Sequence, residues 1–151
     1  MPDESEDHSD SVGGWAKKYY LTSRALIEST LRPYDIGRTQ WYVLHQLVTY
    51  GPTLQRDLGQ LLELERATLS GIVTALVRKG LVTQEADATD QRQRVLRITD
   101  AGRALWSELP DPIAISSSVA FGGADPADLA AARRVLQEAT RRLNAHIAPP
   151  S

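Results

Sequence analysis

Arg66, Thr68, Ser70, Gly71, Thr74 and Arg78 fall on the face opposite an apolar stripe of Leu69, Ile72, Val73 and Leu76. An outer face of short hydroxyls and glycine, with few long acids, suits a helix that must lie close against something. The chemistry on offer is hydrogen bonding: arginine can pair with O6 and N7 of guanine, and hydroxyls can donate to bases or phosphates. A second set, Asp90, Arg92 and Arg94, sits in and just after the polar stretch ADATDQRQ at 86–93. Asp90, two residues before Arg92, is placed for a charge-assisted pair with it. Gln55 and Arg56 open the preceding helical stretch. Each group also has a plainer reading. Arg92 and Arg94 can belong to a solvated loop, Arg66 can pair with Glu63 or Asp57, and Arg78 and Lys79 suit a helix C-terminus. No nucleophile, base and orienting group stand together, and the serines at 116–118, near two prolines, read as loop or frayed helix. His8, His45 and His146 lack companion ligands at metal-binding spacing. Binding rather than catalysis is expected, with no metal and no cofactor.

Residues 53–99 must hold these groups in place. Two helical patterns come first, and Gly80 punctuates the second. Thr53 is a candidate N-cap for the first of them. Leu54, Leu58 and Leu62 supply its inner face, and Gly59 allows a partner to come close. Two strand-like segments, VTQE and VLRI, follow around the arginine-bearing loop; Leu96 and Ile98 alternate with Val95 and Arg97. A helix pair followed directly by a two-stranded ribbon predicts a winged helix-turn-helix over about 36–99, a shape that fits duplex DNA. The fold class is therefore mainly α with a small β-wing.

Helical patterns flank that unit. Apolar residues recur at helical spacing over about 15–31, and the run stops before Pro33. The next helix starts at Asp35 or Gly37, shows apolar residues on two sides, and ends at Gly51-Pro52. Thr99 and Asp100 cap a further helix, which Pro110 and Pro112 interrupt. A last helix begins near Asp125-Pro126, with Leu129, Ala132, Leu136, Ala139, Leu143 and Ile147 in one stripe. The stretches 15–31 and 100–147 offer more apolar surface than a small winged domain needs, so they are expected to pair two copies.

The net charge of −2 hides an uneven distribution. Residues 1–10 carry five acids and no Lys or Arg, leaving 17 bases against 14 acids in the remainder. Residues 66–97 hold six bases and three acids. The acidic, glycine-ended stretch 1–14 has too little apolar surface to offset ordering entropy and is expected to be a disordered tail, ahead of one domain over 15–147. Cysteine is absent, which excludes disulfides and thiolate zinc sites. No apolar run approaches the ~20 residues of a membrane span, and no basic-then-apolar leader opens the chain. The cytoplasm is the expected compartment.

Three blocks, in this order and spacing, resemble MarR-type transcriptional regulators. They are GRTQWYVLHQL at 37–47, LGQLLELERATLSGIVTALVRKGLV at 58–82, and DQRQRVLRIT at 90–99. The resemblance covers about 15–147 and implies a homodimeric regulator that binds double-stranded DNA at an inverted repeat. The helix at 65–79 would enter the major groove, with Arg66, Thr68 and Ser70 at base edges and Thr74 nearer phosphate. Arg92 would reach the neighbouring minor groove, held by Asp90, and Arg94, Gln55 and Arg56 would meet phosphates. Two positions depart from the family's habit. Gly71 stands where many relatives carry arginine, and Glu63 stands at a turn position where glycine is common. The resemblance also implies a small aromatic or phenolic effector, for which Trp15, Tyr19, Tyr20, Trp41, His45 and Trp106 are candidate lining residues; ordinary aromatic packing is the alternative. A repressor released by such a ligand is the leading expectation. A winged-helix module that uses the same surface for protein is the runner-up.

Overall fold

The computed structural model describes residues 8–150. The chain divides into two compact units, Met1–Pro112 and Ile113–Ser151, so the span expected as one domain, 15–147, is parted just after Pro112. The expected breaking point lies there: α5 (Asp100–Glu108) ends before Pro110, and α6 (Pro112–Phe121) begins at the second proline.

In the first unit α1 spans Val12–Leu31, α2 Arg38–Tyr50, α3 Gln55–Leu61 and α4 Arg66–Arg78. The three strands are β1 (Thr53–Leu54), β2 (Val82–Ala86) and β3 (Arg94–Ile98). The core is a single cluster of Ile27, Leu31, Ile36, Trp41, Val43, Leu44, Leu47, Leu58, Leu69, Val73, Leu76, Leu81, Val82 and Leu96. α2 contributes Trp41, Val43, Leu44 and Leu47, buried on more than one side, as its two apolar lines predict. At ~1.5–3 kcal/mol per buried large aliphatic side chain, this cluster is the main stabiliser of the unit.

Two expectations are corrected here. The tail was expected to run to residue 14. Residues 1–7 lie outside the described residues, but His8–Asp10 forms a 3-10 turn and α1 starts at Val12. The Ser11 hydroxyl accepts from the Gly14 amide at 3.0 Å, the Trp15 indole donates to Asp10 at 2.9 Å, and Lys18 donates to the Ser9 carbonyl at 2.9 Å. A local cap and two side-chain ties thus order a segment whose composition alone argued against order. Thr53, expected as an N-cap, is instead in β1, its hydroxyl donating to the Gly51 carbonyl, and α3 starts from Leu54 without a side-chain cap.

β1 pairs antiparallel with β3 (Thr53 opposite Leu96, Leu54 opposite Val95), giving a sheet ordered β1-β3-β2. The β2–β3 ribbon runs in register from Val82 opposite Ile98 to Ala86 opposite Arg94. The sheet thereby ties the ribbon to the start of α3.

In the second unit α6 contains the serines at 116–118, which were expected in a loop or frayed helix. α7 spans Pro126–Ile147, with Asp125 as N-cap and proline in its first turn; it contains no buried residue.

Candidate nucleic-acid interface

The turn between α3 and α4 decides how α4 is presented. The Leu64 amide donates to the Gly59 carbonyl at 2.9 Å and Glu63 to Gln60 at 3.3 Å, a Schellman-type cap with Glu63 left-handed at φ 54°. Gly59 permits this turn to close: a Cβ there would lie 3.3 Å from the Leu69 side chain. The far end of α4 uses the same device with the customary residue. Leu81 donates to Leu76 at 3.0 Å, Gly80 to Val77 at 2.9 Å, and Gly80 has φ 74°. Between the caps, Leu69, Val73 and Leu76 are buried, which leaves Arg66, Thr68, Ser70, Gly71 and Thr74 exposed.

Five of the nine residues singled out for nucleic-acid contact line one groove of about 680 Å³: Gln55 and Arg56 from α3, Arg66 from α4, and Arg92 and Arg94 from the wing. Its floor is partly apolar, with Leu64 and Leu69. Thr68, Ser70 and Thr74 lie along the exposed side of α4, outside the groove lining. The Thr74 hydroxyl donates to the Ser70 carbonyl at 2.8 Å, so its proton is engaged within the helix and a phosphate would have to compete for it. Gln55 accepts from the Gln84 amide at 2.6 Å, fixing α3 to β2. Among the described residues Arg66 and Arg94 make no side-chain hydrogen bond or ion pair, so the pairing of Arg66 with Glu63 or Asp57 is not formed.

The wing tip is built on two aspartates. Asp87 accepts from the Thr89 hydroxyl at 2.7 Å and the Asp90 amide at 3.2 Å. Asp90 accepts from the Arg92 amide at 3.1 Å, the Arg92 guanidinium at 3.2 Å and the Gln93 amide group at 3.4 Å. The Arg92 side chain holds Asp90 below the usual carboxylate range, its backbone amide adding to the effect. Arg92 itself is 91% exposed, so one edge is anchored and the rest of the guanidinium faces outward.

The aromatic candidates separate. Trp41, His45 and Trp106 form one cluster, with His45 stacked on Trp41 at 5.2 Å and Trp106 at 5.4 Å from Trp41. Trp15, Tyr19 and Tyr20 lie exposed on α1, where Lys18 covers the Trp15 ring at 4.5 Å. Sequence reasoning passed over the long-range contacts of Lys79. Its ammonium donates to the Asp35 carbonyl and to Gln40 Oε1 (3.0 Å) and stands 3.6 Å from the Asp35 carboxylate. No local spacing marks an interaction across about forty residues. Among the described residues no group of three or more His, Cys, Asp or Glu could hold a metal ion, and no helix is long and apolar enough to cross a membrane.

A helix-turn-helix whose second helix offers arginine and hydroxyls, beside a ribbon with an outward arginine at its tip, defines a winged helix-turn-helix of the DNA-binding kind. Residues 34–93 match the sequence model of the MarR family, so the winged unit is similar to that of MarR-type transcriptional regulators. Solved structures share its fold. BpsR of Bordetella bronchiseptica, solved in work on regulation of its DNA binding by 6-hydroxynicotinic acid, is 25% identical with a TM-score of 0.77, covering 87% of this chain and 94% of that one. PcaV of Streptomyces coelicolor, in complex with its natural ligand, is 24% identical with a TM-score of 0.73, covering 89% and 95%. A mutant MarR from E. coli complexed with operator DNA is 18% identical with a TM-score of 0.79, covering 89% and 99%.

Proposed function

We propose that this protein is a cytoplasmic homodimeric repressor that reads an inverted repeat in double-stranded DNA and releases it when a small aromatic acid binds. The observation that carries the reading is the groove shared by α3, α4 and the wing, with Arg56, Arg66, Arg92 and Arg94 around it. In this reading Arg66, Thr68 and Ser70 meet base edges in the major groove and Arg92 enters the adjoining minor groove, positioned by Asp90. Gln55, Arg56, Thr74 and Arg94 contact phosphate. Arginine is suited to the two outward positions because its planar fork serves base edge or phosphate without changing protonation state.

One such module makes few base contacts; two related by a twofold axis double them across half-sites about one helical turn apart. Exposed apolar side chains support pairing: Val12, Trp15, Tyr19 and Tyr20 on α1, and Val135, Leu136, Leu143 and Ile147 on α7. For the effector, the support is the Trp41–His45–Trp106 cluster, the 6-hydroxynicotinic acid named for BpsR and the natural ligand bound to PcaV. Release requires the ligand to prefer a dimer geometry whose half-site spacing is wrong for the operator.

Selection of bound fragments from a random duplex pool tests the reading. A twofold-symmetric site is expected, with affinity falling steeply as salt rises because neutralised phosphates release counterions. Failure to enrich any site, with salt-insensitive capture of a protein instead, would favour the interaction-module alternative. Competition with 6-hydroxynicotinic acid and related phenolic acids, in the parent and in Trp106→Ala, tests the effector arm.

A further inference from the structure

We infer that Lys79 is a positioning residue for DNA recognition: it sets the angle of α4 by latching its C-terminal end to the corner between α1 and α2, without touching DNA. This rests on the DNA-binding reading above and adds to it how the recognition helix is held.

Lys79 is the C-cap of α4, and its side chain is 29% exposed. Its ammonium gathers three acceptors from a segment about forty residues away: the Asp35 carbonyl, the Asp35 carboxylate and the Gln40 side-chain carbonyl. The Asp35 carbonyl and Gln40 Oε1 are themselves fixed, whereas the Asp35 carboxylate is exposed. Asp35 is left-handed (φ 55°), closing the 3-10 turn that follows α1, with its amide donating to the Arg32 carbonyl at 3.0 Å. Gln40 Oε1 also accepts from the Gly37 amide at 3.1 Å and so caps the start of α2. Lys79 therefore joins three elements at one point: the end of α1, the start of α2 and the end of α4.

The rest of the α4 packing leaves this role open. Leu69, Val73 and Leu76 hold the helix to the core through apolar contacts, which are non-directional and tolerate a small rotation or slide. The turn at 62–64 fixes the N-terminal end. At the other end Thr99 ties the turn after the helix, its hydroxyl donating to the Gly80 carbonyl at 2.6 Å and its amide to the Leu81 carbonyl at 3.0 Å. Lys79 adds a directional tie from the helix itself to the α1–α2 corner, which sets its tilt. Thirteen residues separate Arg66 from Lys79, a length of ~20 Å at 1.5 Å per residue, so a tilt of ~10° displaces one end by ~3 Å relative to the other. Hydrogen bonds to base edges do not survive such a shift. The same tie runs back to α1, so a displacement of α1 would be transmitted to α4 through Asp35.

A lysine at the end of a recognition helix also invites the simpler idea that it meets a phosphate. The two roles differ in their salt dependence. A phosphate contact contributes about one unit to the slope of log affinity against log salt, whereas a latch inside the protein contributes none.

The test is binding to the selected duplex, by fluorescence anisotropy across a salt series, for the parent, Lys79→Met, Lys79→Arg and Asp35→Asn. We expect Lys79→Met to weaken binding ~10-fold at every salt concentration with the slope unchanged. Lys79→Arg should recover most of the loss, since a guanidinium can reach the same acceptors. Asp35→Asn, a milder change that keeps the carbonyl, should weaken binding less, and the double variant Lys79→Met/Asp35→Asn should be no weaker than Lys79→Met alone. Parental affinity in Lys79→Met overturns the latch, as does a slope lowered by about one unit or additive losses in the double variant. If Lys79→Met does not fold, Asp35→Asn with parental affinity overturns it. A parent that binds no duplex overturns the DNA-binding reading and the latch together; a parent that binds, with variants that match it, overturns the latch alone.

Discussion

Asp90 and Arg92 face each other across the wing tip, with the Arg92 guanidinium donating to Asp90 Oδ1 at 3.2 Å and the Arg92 amide donating to the same oxygen at 3.1 Å. The pair orients a side chain that is otherwise almost wholly exposed. Because the ion pair is in solvent, its contribution to global stability is small. Its consequence is preorganisation: the arginine is held near one direction before any partner arrives, which lowers the entropy lost on binding.

Arg92→Ala should therefore weaken operator binding ~10-fold or more, in line with the ~1–3 kcal/mol of one specific arginine contact, and leave the melting temperature unchanged. Anisotropy titration beside a thermal melt checks both halves. Parental affinity in the variant would remove the wing from the interface.

Acid should loosen the same pair in a set direction. Asp90 titrates below its ordinary value of 3.8, chiefly through the hydrogen bond from Arg92. A carboxyl with a depressed folded pKa contributes fully above its unfolded pKa and loses that contribution as pH falls through the folded value. The wing tip should thus keep its order throughout the neutral range and down past 3.8, with the Asp90–Arg92 contact opening only at more acid pH. An NMR titration of the Asp90 side-chain carboxyl, in the parent and in Arg92→Ala, reads this directly; the variant should titrate closer to 3.8.

Glu63 occupies a left-handed position that the equivalent cap at the other end of α4 fills with Gly80. A side chain there costs roughly 1–2 kcal/mol in backbone strain, whereas glycine carries little, less what the unfolded chain gains in freedom. Glu63→Gly should raise stability by about 1 kcal/mol in urea unfolding. A loss would mean that the Glu63 side chain makes an interaction worth more than the strain.

Gly102 looks unremarkable in the sequence, yet it is buried where α5 crosses the start of β2. A Cβ there would overlap the Leu81 carbonyl and lie 2.7 Å from Ile98 Cγ1. Helix propensity favours Ala by ~1 kcal/mol, but forcing a methyl against backbone costs ~1–3 kcal/mol or more. Gly102→Ala should therefore destabilise, shown by a lower urea midpoint; a rise would mean that α5 shifts freely.

These cases mark how far the sequence could be read. The bounds of α4, the proline break at 110–112 and the proline-led start of α7 were legible because each rests on local signals: a stripe, a cap, a missing amide donor. So was the Asp90–Arg92 pair, two residues apart. β1 was not, since two residues carry no periodicity and become a strand only when β3 lies alongside. The close packing of Gly102 on Leu81 and the Lys79–Asp35 contact were equally hidden, because they depend on which segments meet in space. The start of α1 was misread because composition outweighed the capping serine at position 11.

The second unit supplies the remaining prediction. α7 runs for 22 residues without burying one, although Leu136, Leu143 and Ile147 recur along it at helical spacing. In proteins most helical stability comes from burial of an amphipathic face rather than from propensity. If that face pairs with a second copy, a charge at its centre must either be buried without a partner or keep the subunits apart. Leu136→Asp with Leu143→Asp should therefore shift the protein from dimer to monomer in sedimentation, or cost it its helical circular dichroism. Operator affinity should fall in step, because a single winged module retains half of the contacts. A double variant that stays dimeric, with parental affinity, would show that α7 does not carry the subunit interface.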